Sequence, residues 1–183
     1  MRNVLFALNI SIDGCYDHTF ATPDSELMNY FTELMLETGV IVYGRKTYEL
    51  MIPYWPEVAQ STHDRPEDIA FAKAMTPIPK IVLSRTLQTA DARIVRENPE
   101  GLLRELKQQP GKKIALSSTS LLPMLLDAAL VDELRLVVHP VLVADGRHLF
   151  DRLRMKTDFS LVETKVFKSG VIALHYQKIN PVV

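Results

Sequence analysis

Three short apolar segments of the sequence are each followed directly by small, hydroxylated or basic residues. Val40 to Tyr43 leads into Gly44-Arg45-Lys46-Thr47, Ile81 to Leu83 into Ser84-Arg85-Thr86, and Lys113 to Leu116 into Ser117-Ser118-Thr119. Unpaired N–H groups at a helix start, arginine, lysine and hydroxyl side chains are all groups that bind phosphate. Taken alone, the first stretch is equally consistent with an ordinary strand-to-helix turn, and helix capping is the favoured explanation for the serines.

The elements around these stretches predict a largely parallel sheet covered by helices. Strands and amphipathic helices alternate up to about residue 140, and strands dominate afterwards. Expected strands cover residues 4–10, 40–43, 81–83, 92–95, 113–116 and 134–138, and residues 159–167 and 171–177 form a terminal antiparallel hairpin. If the three strands with polar ends are neighbours, those ends line one crevice at the carboxyl edge of the sheet.

Helix starts and stops can also be read from the sequence. Thr22-Pro23-Asp24 and Asn98-Pro99-Glu100 each look like an N-cap, a proline at the first helical position and an acid in the first turn. Gly39 is the expected stop of the first helix. Residues 53–56, with two prolines around Tyr54-Trp55, are expected to be a loop, and Ser117 to Ser120 to open a helix.

Composition narrows the class of function. The 183 residues are 47% hydrophobic with a net charge of −1, which predicts a single domain over residues 1–183 and disfavours nucleic-acid or membrane binding. Cys15 is the only cysteine, so an intramolecular disulfide and a multi-cysteine metal site are excluded. The N-terminus does not have the pattern of a signal peptide and no apolar run is long enough to span a membrane, which predicts a cytoplasmic protein with a small-molecule partner.

No metal site is expected from the histidines. His18, His63, His148 and His175 have no spacing typical of metal ligands, and His139, in a β-prone run before a proline, is interpreted as a packed structural histidine.

Four collinear motifs carry a family resemblance. They are Ser11-Ile12-Asp13-Gly14, the segment from Gly44 to Glu49, Val82 to Thr86, and Leu130 to Leu136 leading into His139-Pro140-Val141. With these motifs the sequence resembles the dihydrofolate reductase-like family, and most closely its bacterial branch related to the reductase domain of riboflavin biosynthesis. The resemblance implies a three-layer α/β sandwich with a mostly parallel central sheet, a homodimer and binding of NADPH.

The resemblance also implies positions for the cofactor. Arg45, Lys46 and Thr47, with Gly44 before them, would hold its phosphates. Ser84, Arg85 and Thr86 would bind the adenosine 2′-phosphate, which a guanidinium can engage through two hydrogen bonds. Residues 117–119 (Ser117, Ser118 and Thr119) would lie at the nicotinamide or pyrophosphate, and Ala7 is a further cofactor contact. Family members have glycine at this last turn, whereas Ser117 and Ser118 place Cβ atoms and hydroxyls there.

By the same resemblance, the protein would reduce a pteridine, a pyrimidine or a similar flat heterocycle, as dihydrofolate reductase or 5-amino-6-(5-phosphoribosylamino)uracil reductase does. Folate reductases use a carboxylate near the first helix, for which Asp24 and Glu26 are the candidates, followed by Asp13. The same acids have structural explanations, as helix-dipole partners and as a turn residue. Two other functions stay open: a non-catalytic nucleotide-binding or regulatory protein that retains the fold, and a structural dimerisation module.

Overall fold

The structure, a computed structural model, describes residues 1–17, 19 and 22–179. Its elements in chain order are β1 (Val4–Ser11), α1 (Ser25–Leu36), β2 (Thr38–Gly44), α2 (Arg45–Met51), α3 (Trp55–Val58), α4 (Pro66–Met75), β3 (Lys80–Leu83), β4 (Arg93–Val95), α5 (Pro99–Gln108), β5 (Lys113–Ser117), α6 (Leu122–Asp127), β6 (Glu133–His139), β7 (Phe159–Val166) and β8 (Ile172–Lys178). None of these helices is long and apolar enough to cross a membrane.

The chain groups into two compact units. The first comprises Met1–Arg2 and Pro23–Ser118, and the second comprises Asn3–Thr22 and Thr119–Val183. The single domain over residues 1–183 stays a prediction.

The first unit contains four parallel strands in the order β4, β3, β2, β5. Side chains that alternate along them, namely Ile41 and Tyr43 on β2, Val82 on β3 and Ala115 on β5, form one apolar surface. A cluster of helical side chains covers that surface, made of Met28, Tyr48, Phe71 and Met75. The apolar positions of α1, α2 and α4 therefore fix these helices on the same face of the strands.

The second unit contains the order β1, β6, β8, β7. β1 and β6 are parallel, whereas β8 is antiparallel to both β6 and β7. Gly170 makes the turn of the terminal hairpin with a φ of +83°, a conformation that glycine adopts without strain. The predicted fold class, a mostly parallel sheet with an antiparallel C-terminal hairpin, is confirmed.

Several predicted boundaries are wrong. The N-cap of α1 is Asp24 rather than Thr22, because the Asp24 carboxylate accepts a hydrogen bond from the Leu27 N–H at 2.8 Å. Gly39 lies inside β2 instead of ending α1. Residues 55–58 form the short helix α3, in which Pro56 occupies an early position that needs no N–H donor.

The helix predicted at Ser117–Ser120 begins only at Leu122. Its N-cap is Leu121, which makes no side-chain capping bond, so none of the serines is the N-cap of α6. Ser117 instead extends β5, where it pairs with Tyr43 of β2. By contrast Asn98 caps α5 as predicted, accepting from the Gly101 N–H at 2.9 Å.

Candidate functional site

The three polar strand ends of the first unit are neighbours. β2 lies between β3 and β5, and Gly44 is opposite Leu83 while Tyr43 is opposite Ser117. Since all three strands are parallel, their carboxyl ends lie at one edge. This edge, formed by residues 44–47, 84–86 and 117–118, is hereafter called the carboxyl-edge site.

A glycine is required at position 44 because the Ser118 side chain lies close to it, and not because of the backbone conformation at Gly44. Its φ and ψ of −80° and 155° are ordinary extended values. A Cβ at Gly44 would overlap the Ser118 hydroxyl and lie 3.0 Å from the Ser118 Cβ. Ser118 is only 3% exposed, so its side chain is buried in the space that the missing Gly44 side chain leaves.

The residues after Gly44 form the first turn of α2. Gly44 is the N-cap and makes no side-chain capping bond. The Arg45 guanidinium donates to both Glu49 oxygens, at 3.1 and 2.9 Å, across one helical turn, and both side chains are 40% or more exposed. Lys46 is exposed and Thr47 is half-buried. The turn therefore presents basic and hydroxyl groups beside backbone N–H donors.

The stretch after β3 is a hydroxyl-stabilised turn. The Ser84 Oγ accepts hydrogen bonds from the Thr86 N–H at 3.2 Å and the Leu87 N–H at 3.0 Å. The Arg85 carbonyl accepts from Arg96 at 3.2 Å, which holds the backbone of the turn. Among the described residues, no acidic side chain pairs with the exposed Arg85 guanidinium. It is thus a cation available to a ligand.

The third strand end is less open. Ser117 is half-buried at the end of β5, and Ser118 packs against Gly44 as described above. Thr119 is also half-buried and is the first residue of this stretch that belongs to the second unit. The Ser118 side chain therefore fills a gap inside the protein, whereas Ser117 keeps partial solvent access.

Two of the three candidate acids lie at the start of α1. Asp24 is occupied as the N-cap, and Glu26 is half-buried in the first turn. The same region is tied to α4, because the Arg65 guanidinium donates to the Pro23 carbonyl at 3.1 Å and pairs with Asp68 at 2.7 Å. Hydrogen bonding to Asp68 raises the pKa of Arg65.

Asp13 and Ala7 both lie in the second unit. The Asp13 carboxylate accepts hydrogen bonds from the Ser11 hydroxyl and from the N–H groups of Val143 and Ala144, the last at 2.9 Å. These bonds, the Ser11 bond first, hold the pKa of Asp13 well below its usual range. Asp13 therefore has no proton to donate near neutral pH. Ala7 is a half-buried residue of β1 opposite Arg135.

Of the two aromatic residues at the start of α3, Trp55 packs against the core and Tyr54 is exposed. The Trp55 ring packs edge-to-face on Phe71 with centroids 4.6 Å apart, and its N–H points to the Met51 sulfur at 3.3 Å. Tyr54 contacts Trp55 with ring centroids 5.0 Å apart and is half exposed.

His139 is buried with its Nε2 3.0 Å from the Asn9 side-chain oxygen, as expected for a structural histidine. His18 lies outside the described residues.

Comparison with known proteins decides the family. The model of the RibD C-terminal domain matches residues 2–173. The chain belongs to the RibD C-terminal domain family. YyaP of Bacillus subtilis strain 168, itself uncharacterized, is 29% identical over an alignment of 181 positions that covers 96% of this chain and 94% of YyaP.

Solved structures agree with this fold. A protein of Shewanella sp. PV-4 described as a riboflavin biosynthesis protein superposes with a TM-score of 0.74 at 19% identity, covering 98% of this chain and 100% of the other. A pyrimidine reductase-like protein of Corynebacterium diphtheriae gives 0.68 at 15% identity, covering 98% and 92%. The resemblance to the dihydrofolate reductase-like family is confirmed, and family membership supports a reductase-like role.

Sequence reasoning missed one grouping of chemically capable side chains. Asp13, Cys15 and His148 place their ligand atoms within 4.8 Å of one another in the second unit. Cys15 and His148 are 133 positions apart, and an isolated antiparallel bridge between them brings them together. No local spacing signals such a contact.

Proposed function

We propose that the protein is an NADPH-dependent reductase that delivers a hydride to a flat nitrogen heterocycle such as a pteridine or a pyrimidine. The observation that carries the proposal is the carboxyl-edge site, where three adjacent parallel strands end in hydroxyl and basic residues. Crevices at this edge are the usual ligand sites of α/β sheets. The family adds a reductase-like role, and a similar solved structure is a pyrimidine reductase-like protein.

The residues present fit a phosphate-bearing cofactor at the ends of β2 and β3. Lys46, Thr47 and the first N–H groups of α2 would hold the bridging phosphates, with Arg45 at the rim. The Ser84 turn and the Arg85 guanidinium would hold the 2′-phosphate, which distinguishes NADPH from NADH. When bound, the cofactor supplies the hydride, and the protein holds the acceptor and excludes water.

The end of β5 also fits the cofactor, despite the serines that replace the family's glycines. The Ser118 side chain is directed into the gap at Gly44 and so does not occupy the crevice. Ser117 is a half-buried hydroxyl residue that can donate to ligand oxygens. Thr119 and Ala7 stay proposed cofactor contacts on the resemblance alone.

Glu26 is the proposed carboxylate that supports protonation of the acceptor. Glu26 lies half-buried in the first turn of α1, where the resemblance implies a carboxylate, whereas Asp24 is the N-cap and Asp13 lies in the second unit with a lowered pKa. Glu26→Gln should lower kcat by about 10²- to 10⁴-fold while NADPH affinity is retained. Glu33→Gln, an exposed change on the same helix, is the matched control. Equal activities of the two variants would remove Glu26 from this role.

We also propose a cytoplasmic homodimer. The support for the dimer is the edge strand β7, on which Leu161 and Val166 are 54% and 67% exposed. Exposed apolar side chains on an edge strand need cover, and a second copy of the chain supplies it. Sedimentation equilibrium tests this: twice the 20.8 kDa chain mass is expected, and Val166→Lys should return the mass to that of a monomer.

A second candidate function is nucleotide binding without catalysis. Ser117 favours it, because this half-buried residue places a side chain at a turn where the resemblance implies glycine. The two functions separate in one assay, because both predict NADPH binding and only the reductase predicts NADPH consumption with a heterocyclic acceptor. A structural dimerisation module predicts neither.

The cofactor assignment is tested with Arg85→Ala. Removing the guanidinium should lower the affinity for NADPH by about 10- to 100-fold, because a charge-assisted hydrogen bond contributes about 1.5–3 kcal/mol. The affinity for NADH should be nearly unchanged. Arg104→Ala, an exposed arginine on α5, is the control and should alter neither. Equal losses for both dinucleotides would contradict recognition of the 2′-phosphate by Arg85.

A further inference from the structure

A second site of a different kind lies where the loop after β1 meets the segment after β6. The two segments are held together by backbone hydrogen bonds: Tyr16 N–H to Arg147 O and Leu149 N–H to Gly14 O, both at 3.0 Å, around the Cys15–His148 bridge. Asp13 is fixed from the other side by the N–H groups of Val143 and Ala144. Backbone pairing therefore places the three side chains before any ligand arrives.

The two distances from the Cys15 sulfur to the other ligand atoms are close to the edges of a metal-ion tetrahedron. The Cys15 sulfur lies 3.4 Å from His148 Nε2 and 3.8 Å from the Asp13 Oδ2. Zinc bonds of about 2.3 Å to sulfur and about 2.0–2.2 Å to nitrogen or oxygen, at tetrahedral angles, give edges of about 3.6 Å. The two distances from the Cys15 sulfur therefore differ from such an edge by only a few tenths of an ångström, and all three ligand atoms lie within 4.8 Å of one another.

The surroundings of the cluster also suit a metal. Bound imidazoles usually donate their other ring N–H to a carboxylate, a backbone carbonyl or water, and the Asp151 carboxylate lies 3.9 Å from His148 Nδ1. The Asp13 carboxylate is oriented by its three hydrogen bonds, as ligating carboxylates commonly are. Cys15 is 1% exposed while the His148 side chain is 40% exposed, so an ion can enter from the histidine side.

The geometry points to a zinc-class divalent metal site formed by Asp13, Cys15 and His148, with water in the fourth position. One thiolate, one imidazole and one carboxylate form a donor set that favours Zn²⁺ or Co²⁺ over Mg²⁺ and Ca²⁺, which prefer all-oxygen ligands. Cys15 binds as the thiolate and its proton passes to solvent. The ion would cross-link residues 13–15 to residue 148 and stabilise the second unit. The site does not depend on the proposed reductase activity.

Metal titration of the full chain tests the site. After treatment with a chelator, the wild-type protein should bind one Zn²⁺ in calorimetry, and Co²⁺ should give a thiolate-to-metal charge-transfer band. Cys15→Ser should abolish that band. His148→Ala should lower the affinity for Zn²⁺ by at least about 100-fold, because loss of a ligand costs more than the 10- to 100-fold loss that follows removal of a hydrogen-bond partner of a ligand. Asp151→Asn, which changes only such a partner of His148, should lower the affinity for Zn²⁺ by no more than about 100-fold.

His63→Ala is the matched control, since His63 is an exposed histidine elsewhere in the chain. Its Zn²⁺ affinity should equal that of the wild type. Thermal unfolding gives a second measurement: saturating Zn²⁺ should raise the Tm of the wild type and the His63 variant but not of the Cys15 and His148 variants. Equal Zn²⁺ affinity in the wild type and Cys15→Ser, or a Co²⁺ spectrum without a thiolate band, would show that Cys15 and His148 form only a thiol–imidazole hydrogen bond.

Discussion

Substitution of Gly44 tests the packing on which the carboxyl-edge site depends. In Gly44→Ala, the new Cβ would overlap the Ser118 hydroxyl and lie 3.0 Å from its Cβ, in a place where Ser118 is 3% exposed. Overpacking of this kind costs about 1–3 kcal/mol. For a chain of 183 residues, each kcal/mol lowers Tm by about 2–4 °C, so we expect a loss of about 2–12 °C in calorimetry.

Gly44 is also the N-cap of α2, which provides a competing explanation for any loss. Alanine is a poor N-cap and serine is a good one, so capping predicts that Gly44→Ser stabilises the protein. Steric overlap with Ser118 predicts the opposite, because serine adds both a Cβ and an oxygen. We therefore expect Gly44→Ser to unfold at a temperature as low as Gly44→Ala or lower.

The double variant Gly44→Ala with Ser118→Gly completes the cycle. Removing the Ser118 side chain should restore most of the loss, with a coupling free energy of about 1–3 kcal/mol between the two positions. Additive effects of the two substitutions, or a Gly44→Ser variant more stable than the wild type, would refute the close approach as the reason for Gly44.

Three further predictions concern the first unit. Phe71→Ala should lower stability by about 3–5 kcal/mol and shift Trp55 emission to the red, because Phe71 packs on the Trp55 ring; unchanged emission would contradict that packing. Asn98→Ala should lower the free energy of unfolding by about 1 kcal/mol for the lost cap plus about 1–2 kcal/mol for a φ of 51°, while Asn98→Gly should lower it by only a few tenths of a kcal/mol. Equal urea unfolding midpoints for the two variants would contradict this. Burial lowers the pKa of Lys80, so between that lowered pKa and 10.5 the unfolded chain binds more protons than the folded protein, and the free energy of unfolding should rise with pH. Urea unfolding at several pH values across that range should show this rise in the wild type and not in Lys80→Met.

Much of the fold could be predicted because local signals agreed with the tertiary structure. Asn98-Pro99-Glu100 combines a cap, a fixed φ and an acid near the helix start, and α5 begins there as expected. The β-prone runs gave the strands to within one or two residues. Helix starts were predicted less well where two residues compete for the cap. Thr22 fits the sequence pattern, but only the Asp24 carboxylate hydrogen-bonds the Leu27 N–H.

The candidate site could be predicted only in part. The polar ends of β2, β3 and β5 are visible in the sequence, but the adjacency of these strands depends on long-range pairing that has no local signature. The fit of Ser118 against Gly44 depends on the β2–β5 register in the same way. The Asp13–Cys15–His148 cluster depends on one bridge between distant loops, so the sequence alone contained no reason to pair a lone cysteine with that histidine.

The most direct test of the proposed function is NADPH oxidation by the purified protein in the presence of pteridine and aminopyrimidine acceptors. We expect NADPH to change the fluorescence of Trp55, the only tryptophan, and to be consumed with at least one acceptor, with NADH much less effective. Binding without consumption would support the nucleotide-binding alternative. Millimolar NADPH that changes neither the Trp55 fluorescence nor the Tm would contradict the reductase function.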